Sequence, residues 1–97
     1  MLSDIRDFSE KEIRQAVLQK ANPKNINKSG KHWKGYIFIG DTLVSKIKIP
    51  NNHNRVMKPS KSQYICRDLR LEPNQFNNFV DCNMTGSEYY RYLNSQL

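Results

Sequence analysis

The stretch KGYIFIGDTLVSKIKIP, residues 34–50, decides the fold. Two runs of alternating side chains are joined here by Gly40-Asp41, a pair that favours a tight hairpin turn. In the return run, one face is predicted to hold Leu43, Ser45, Ile47 and Ile49, and the opposite face Val44, Lys46 and Lys48. Such alternation is typical of antiparallel strands with one buried and one solvated face. We therefore predict a β-hairpin that presents lysines to solvent.

Helix signals flank this hairpin on both sides. Upstream, Ser9 and Glu12 are spaced to form a capping box, in which each side chain hydrogen-bonds the other residue's backbone N–H, and Asn22-Pro23 is predicted to end the helix. Residues 25–30 and 51–59 are predicted to be loops. Three further helices are expected downstream, with starts marked by Ser60 with Gln63, by Pro73, and by Thr85 with Glu88. The order of elements predicts an α+β domain.

Length and composition limit the classes of protein that this sequence can encode. The chain has 97 residues, 37% of them hydrophobic, which predicts one domain over 1–97, with a core at about 9–71 and a helical extension at 73–97. Its longest apolar run, residues 36–39, is far shorter than the roughly 20 residues that a membrane span needs. The two cysteines and the lack of a secretory signal lead us to expect a cytoplasmic protein with reduced thiols.

Positive charge is concentrated in the middle of the chain. The net charge is +7, but residues 20–70 alone carry +10, from nine lysines and three arginines against Asp41 and Asp68. Clustered cations gain affinity for polyanions because they release counterions from phosphates. The distribution therefore favours a nucleic acid as partner. The alternative is a lysine-rich surface that only contacts solvent.

Two histidines are the candidates for acid–base chemistry near neutral pH. His32 enters the first hairpin strand and His53 follows the second, each with basic neighbours. An imidazole can take a proton from a ribose 2′-hydroxyl and return one to the leaving oxygen, while lysines stabilise the charge on the phosphate. This chemistry applies to RNA, and we expect neither a metal nor another cofactor, because the two histidines, with Asp41 the only acid between them, form no ligand cluster. The alternative is that both histidines are structural.

Other reactive or aromatic residues have a simpler structural interpretation. Cys66 can meet a histidine in space, but on the apolar side of a helix it is expected to be a buried, inert thiol. Tyr89, Tyr90 and Tyr92 can stack on bases, although helical spacing favours packing on the core for Tyr89 and Tyr92. For Trp33, stacking on a base and covering the open end of the sheet both remain open.

An ordered series of motifs spans residues 30–71. The series consists of Gly30-Lys31-His32 entering a strand, the hairpin through Gly40-Asp41, Ile47-Lys48-Ile49-Pro50, His53 in the next loop, and Val56-Met57-Lys58-Pro59-Ser60 before a helix that leads to Leu71. In order and spacing this series resembles the HicA-type toxins, small ribonucleases of toxin–antitoxin pairs with a double-stranded-RNA-binding-like fold.

The resemblance implies both a fold and a function. The implied order is α-β-β-β-α, with a sheet of two to three strands packed against helices, here followed by extra C-terminal helices. One strand is expected to be short or irregular, because residues 22–29 form a poor strand sequence. The implied activity is cleavage of messenger RNA with His32 as the catalytic residue, and the implied protein partner is an antitoxin of the HicB type. The resemblance and the basic segment at residues 20–70 together give the expected RNA-binding residues, which are Lys28, Lys31, Lys34, Lys46, Lys48, His53 and Lys58.

Two other functions remain open from the sequence. A non-catalytic RNA- or DNA-binding module on the same fold is favoured by Lys31, since the family usually has serine or threonine between the glycine and the histidine. A protein-interaction subunit is the other, with the aromatic C-terminal helices as its docking surface.

Overall fold

The protein has the predicted α+β fold, with a three-stranded antiparallel sheet and four α-helices within the described residues. The structure is a computed structural model, and it describes residues 5–29, 33–50, 55–81 and 83–96. In chain order the elements are β1 (Phe8–Ser9), α1 (Glu10–Ala16), β2 (Lys24–Asn27), β3 (Trp33–Ile39), β4 (Thr42–Ile49), β5 (Val56–Met57), α2 (Pro59–Asp68), α3 (Pro73–Val80) and α4 (Gly86–Ser95). The strand order is β2-β3-β4, and β1 pairs with β5 as a separate two-stranded sheet.

The central hairpin forms where the alternation predicts it. β3 and β4 pair from Trp33 opposite Ile49 to Ile39 opposite Thr42. Gly40 occupies the turn with φ of +58°, a left-handed backbone angle that glycine adopts without a Cβ clash. Gly35 and Ile37 on β3 and Ile47 and Ile49 on β4 are buried against the helices, so the sheet has one face in the core.

The alternation along β4 changes at Val44, where the prediction is wrong for two residues. Ile37 lies opposite Ser45 and Phe38 opposite Leu43, so Val44 is one extra residue in β4, a β-bulge. Beyond the bulge the side chains exchange faces: Val44 is buried, whereas Leu43 is 47% exposed. Ser45, Ile47 and Ile49 keep the face predicted for them, because the bulge lies on the turn side of all three.

The regions predicted as loops contain two short strands. Lys24–Asn27 is strand β2, which pairs with β3 despite its polar sequence and is irregular, because Asn25 has φ of 55° and the register shifts there. Val56–Met57 is strand β5, paired with Phe8–Ser9. β2 is the short, irregular strand that is expected over residues 22–29, whereas the loop predictions for 25–30 and 51–59 are wrong where these strands lie. Partners on distant segments, and not local propensity, stabilise both strands.

Local capping signals place three of the four helix starts as predicted. Ser9 and Glu12 exchange hydrogen bonds at α1, Thr85 and Glu88 do so at α4, and α3 starts at Pro73. The Ser60–Gln63 capping box is wrong: α2 starts at Pro59, and Gln63 donates a hydrogen bond to the carbonyl of Ser60 instead. Proline suits the first helical turn because a backbone N–H at that position would have no partner within the helix.

Helix α1 ends in a wider turn before the sheet begins. Val17–Ala21 is π-helical, and the N–H of Asn22, itself left-handed, donates to the carbonyl of Val17. This end packs against α4, while α1 packs against α3 and α2 packs against β4 and α3. Within the described residues, no helix is long and apolar enough to cross a membrane.

The core lies between the inner face of the sheet and the helices. Its largest fully buried side chains include Phe76, Phe79 and Tyr89, so α3 and α4 share one core with the hairpin. Gly35 on β3 is also buried, since a Cβ there would lie 2.7 Å from the Cβ of Pro23. This close approach brings the segment after α1 against β3 and so sets the position of β2.

Candidate nucleic-acid interface

The outer face of the three-stranded sheet, on the side away from the core, is rich in lysine. Cross-strand pairing places Lys34 opposite Lys48, Tyr36 opposite Lys46, and Lys24 opposite Tyr36, and directly paired residues share a face. We call this surface the lysine face; it comprises Lys24, Asn27, Lys34, Tyr36, Phe38, Leu43, Lys46 and Lys48. All four lysines are exposed, and no acidic residue is among the described residues of this face.

Like charges lie directly opposite each other in this surface. Lys34 and Lys48 form a cross-strand pair, an arrangement that destabilises a sheet by a few tenths of a kcal/mol up to about 1 kcal/mol. Lys46 follows on the same side of β4, two residues from Lys48. Because the strands hold these side chains close together, their positive potentials add, and a polyanion bound across them relieves the repulsion.

One carboxyl group lies at the border of the lysine face. Asp68, at the end of α2, accepts a hydrogen bond from the backbone N–H of Lys48. Burial raises the pKa of Asp68, although this hydrogen bond and the charges of Lys48 and Arg67 oppose the increase. The Asp68 carboxylate therefore binds the backbone at the edge of β4, while the lysine ammonium groups extend to solvent.

The end of α2 covers the outer edge of β4 with polar contacts. The guanidinium of Arg70 donates a hydrogen bond of 3.0 Å to the carbonyl of Val44. The hydroxyl of Ser45 bonds the carbonyl of Asp68, and the N–H of Lys48 is taken by the Asp68 carboxylate. These contacts fix β4, and with it Lys46 and Lys48, relative to the helices.

The structure brings together only part of the predicted RNA-binding set. Lys34, Lys46 and Lys48 share the lysine face, whereas Lys28 lies over the Trp33 ring, 4.6 Å from its centroid. Lys58 lies elsewhere, just after β5 at the start of α2. The remaining predicted residues, Lys31, His53 and the catalytic candidate His32, lie outside the described residues.

The predicted RNA-binding set contains three of the eight residues of the face, and Lys24 and Tyr36 are among the five that it misses. Lys24 falls ahead of a predicted loop, because β2 has no period-two pattern that reveals which side chains share a face. Tyr36 belongs to the first of the two alternating runs but to no predicted site; its position between Lys34 and Phe38 on a solvated strand face is the signal that could have identified it.

Comparison of the chain with models of protein families, with curated proteins and with solved structures gives no match.

The other candidate reactive group, the thiol of Cys66, lies in the core. Cys66 is buried, its Sγ–H donates to the carbonyl of Leu71, and burial together with the charge of Glu72 raises the pKa of its thiol to about 11. A protonated, inaccessible thiol is not a nucleophile. Across the four described segments, no three His, Cys, Asp or Glu side chains come together as a metal site.

The C-terminal tyrosines also pack inwards. Tyr89 is fully buried and its hydroxyl donates to the carbonyl of Leu69. Tyr90 is half-buried and bonds the carbonyl of Ala21, and Tyr92 packs against the core. Burial raises the pKa of Tyr89 and of Tyr90, which keeps both phenols neutral. Tyr89 therefore cannot stack on a base. It packs in the core, as its helical spacing predicts.

Proposed function

We propose that this protein binds RNA through the lysine face and cleaves it, acting as the toxin of a toxin–antitoxin pair. The observation that supports binding is the lysine face itself: four exposed lysines on three adjacent strands, paired with each other and with Tyr36 and without an acid among them. A surface that repels itself in the free protein is best explained by an anionic ligand.

Cleavage rests on the sequence and on its resemblance to HicA-type toxins. His32 directly precedes Trp33, the first residue of β3, and so lies two positions from Lys34 in the sequence. In the proposed step, His32 takes the proton of a ribose 2′-hydroxyl, the 2′-oxygen attacks the adjacent phosphorus, the bond from phosphorus to the 5′-oxygen breaks, and the imidazolium returns the proton to that leaving oxygen. The products are a 2′,3′-cyclic phosphate and a 5′-hydroxyl, and lysines stabilise the charge on the phosphate.

The same resemblance supplies the biological setting. A toxin that cuts messenger RNA acts in the cytoplasm, and a HicB-type antitoxin is the protein partner that we propose for it. The aromatic residues of the C-terminal helices, which the sequence offers as an alternative docking surface, are largely committed to the core, so we do not propose that surface for the partner.

A non-catalytic nucleic-acid-binding module is the second candidate. Its specific support is that the lysine face alone accounts for binding, whereas Lys31 stands where the resembled family usually has serine or threonine. This candidate keeps the lysine face and removes the role of His32.

The first test measures binding and cleavage of one long single-stranded RNA by the purified protein in EDTA. If all four lysines of the face contact phosphates, the affinity falls about 50-fold between 50 and 200 mM salt. We expect cleavage by the wild type and by His53→Ala, and none by His32→Ala, with circular dichroism showing that both variants are folded.

Each outcome of this test has a distinct meaning. Cleavage that survives His32→Ala removes His32 from the mechanism. Salt-sensitive binding without cleavage by the wild type, at low salt and high protein concentration, supports the non-catalytic module. Binding that does not change with salt contradicts the lysine face as a phosphate-binding surface.

A further inference from the structure

Tyr36 occupies the centre of the lysine face. It lies on the middle strand, with Lys24 opposite it on β2 and Lys46 opposite it on β4. Because neighbouring strands are about 4.8 Å apart, the two lysines flank the aromatic ring at similar distances on either side. The Lys34–Lys48 pair lies two residues further along, about 7 Å away.

Tyr36 differs from the tyrosines that serve the core. The hydroxyls of Tyr89 and Tyr90 each bond a backbone carbonyl, and the Tyr89 ring is fully buried. The Tyr36 ring is only half-buried, and it faces away from the core. The exposed part of this ring is therefore accessible to a ligand on the solvated face of the sheet.

Trp33 is less suited to the same role. It lies opposite Ile49, which is fully buried, and packs against the core from its end of the sheet. One face of its ring is covered by the ammonium group of Lys28. The sequence leaves open whether Trp33 stacks on a base or covers the end of the sheet, and these contacts favour the second role.

We infer that the lysine face takes single-stranded nucleic acid, with one base stacked on Tyr36 and the flanking phosphates bound by Lys24 and Lys46. This inference rests on the proposed function and narrows its ligand to a class. Aromatic rings on a sheet face stack on unpaired bases, which expose their flat surfaces. In a duplex those surfaces are covered by neighbouring bases, so Tyr36 has nothing to stack on.

The test compares two uncleavable probes: a 12-nucleotide 2′-O-methyl RNA of mixed sequence, and the same strand annealed to its complement. The methyl group removes the nucleophile, so wild-type protein can be titrated without cutting the probe. The variants are Tyr36→Leu, which removes the ring, and Tyr36→Phe, which keeps it. Lys24→Gln removes a flanking charge, and Lys11→Gln on α1 is its matched control away from the sheet.

We expect Tyr36→Leu to weaken single-strand binding on the order of tenfold and to leave the salt dependence unchanged, because a stacked base but no phosphate contact is lost. Tyr36→Phe should stay within about twofold of the wild type. Lys24→Gln should make the slope of log affinity against log salt shallower by about 0.7, and Lys11→Gln should not change it.

The possible failures can be told apart. If Tyr36→Leu binds the single strand as tightly as the wild type does, stacking on Tyr36 is wrong. If the duplex binds as tightly as the single strand, the ligand class is wrong, but the proposed function stands. If the wild type binds neither probe even at 20 mM salt, both the inference and the proposed function fail.

Discussion

Arg70 combines a strained backbone conformation with a side-chain hydrogen bond to the sheet. It follows the end of α2 with φ of 62°, a left-handed angle at which glycine is usual after a helix. The N–H of Arg70 bonds the carbonyl of Arg67 and that of Leu71 bonds the carbonyl of Cys66, which closes the helix end. An arginine here adds what glycine lacks, a guanidinium that bonds the Val44 carbonyl on the sheet edge.

Two substitutions at Arg70 separate the strain from the contact. Arg70→Gly loses the hydrogen bond but relaxes the backbone, whereas Arg70→Ala loses the bond and keeps the strain. We expect Arg70→Ala to lower the free energy of unfolding by about 1 kcal/mol, the usual value of one hydrogen bond. Arg70→Gly should be more stable than Arg70→Ala by up to about 1 kcal/mol. Urea denaturation measures both; a glycine variant less stable than the alanine variant would contradict the argument.

Among the strands and helices, the predictable features are those encoded within a few residues. The capping boxes at Ser9 and Thr85 join residues three apart, so the sequence reveals them directly. The bulge at Val44 depends on how β4 pairs with β3, and the strand at Lys24–Asn27 exists because β3 offers it a partner. Neither has a local signal, because register is decided by pairing and burial across the sheet.

The same distinction applies to the candidate site. Lys34, Lys46 and Lys48 share a face by the same alternation that predicts the hairpin, so the sequence is sufficient to group them. Lys24 cannot be grouped in this way, since its face is set by the irregular pairing of β2. Lys58 is predicted to join the others because it is near them in the basic segment, but it lies next to the separate sheet of β1 and β5.

The Lys34–Lys48 pair across β3 and β4 allows a test of whether the lysine face lowers the stability of the fold while it favours binding of RNA. Lys34→Glu replaces the repulsion from Lys48 by attraction, so the free energy of unfolding should rise by about 0.2–1 kcal/mol at low salt. The gain should fade in high salt, because exposed charges are screened. Lys34→Gln, which removes repulsion without adding attraction, should fall between the wild type and Lys34→Glu.

Affinity for RNA should change in the opposite direction to stability in this series. Chemical denaturation and RNA titration of the same three proteins give both quantities. A Lys34→Glu protein that is less stable than the wild type at low salt would show that the cross-strand pair is not repulsive, and the trade-off would be rejected.

At the scale of the whole molecule, charge is divided between the sheet and the ends of the chain. Residues 20–70, which include the sheet, carry +10, while residues 71–97, which include α3 and α4, carry −2. The lysine face lies on the side of the sheet away from the helices. Residues 20–70 also include α2 with Lys61 and Arg67, so the charge that attracts a polyanion to the outer side of the sheet is that of the four lysines of the lysine face.

Alkaline pH should unfold the molecule partly through a buried thiol. Burial raises the pKa of Cys66 from about 9 to about 11, so the folded protein holds this proton at pH values where the unfolded chain releases it. The unfolded state is then favoured progressively: stability falls as pH rises from about 9 to about 11. Cys66→Ala should show a shallower decline of the free energy of unfolding over this range. Equal slopes for the wild type and Cys66→Ala would contradict the assignment.

The covered edge of β4 has a consequence for self-association. A sheet edge with free backbone groups can recruit a strand from another molecule and begin aggregation. Here two backbone groups of the β4 edge are occupied, the Val44 carbonyl by Arg70 and the Lys48 N–H by Asp68, and the β2 edge is short, interrupted at Asn25 and bears Lys24. Both borders of the sheet are thus protected against edge-to-edge growth, and the lysine-rich surface between them stays open to a ligand.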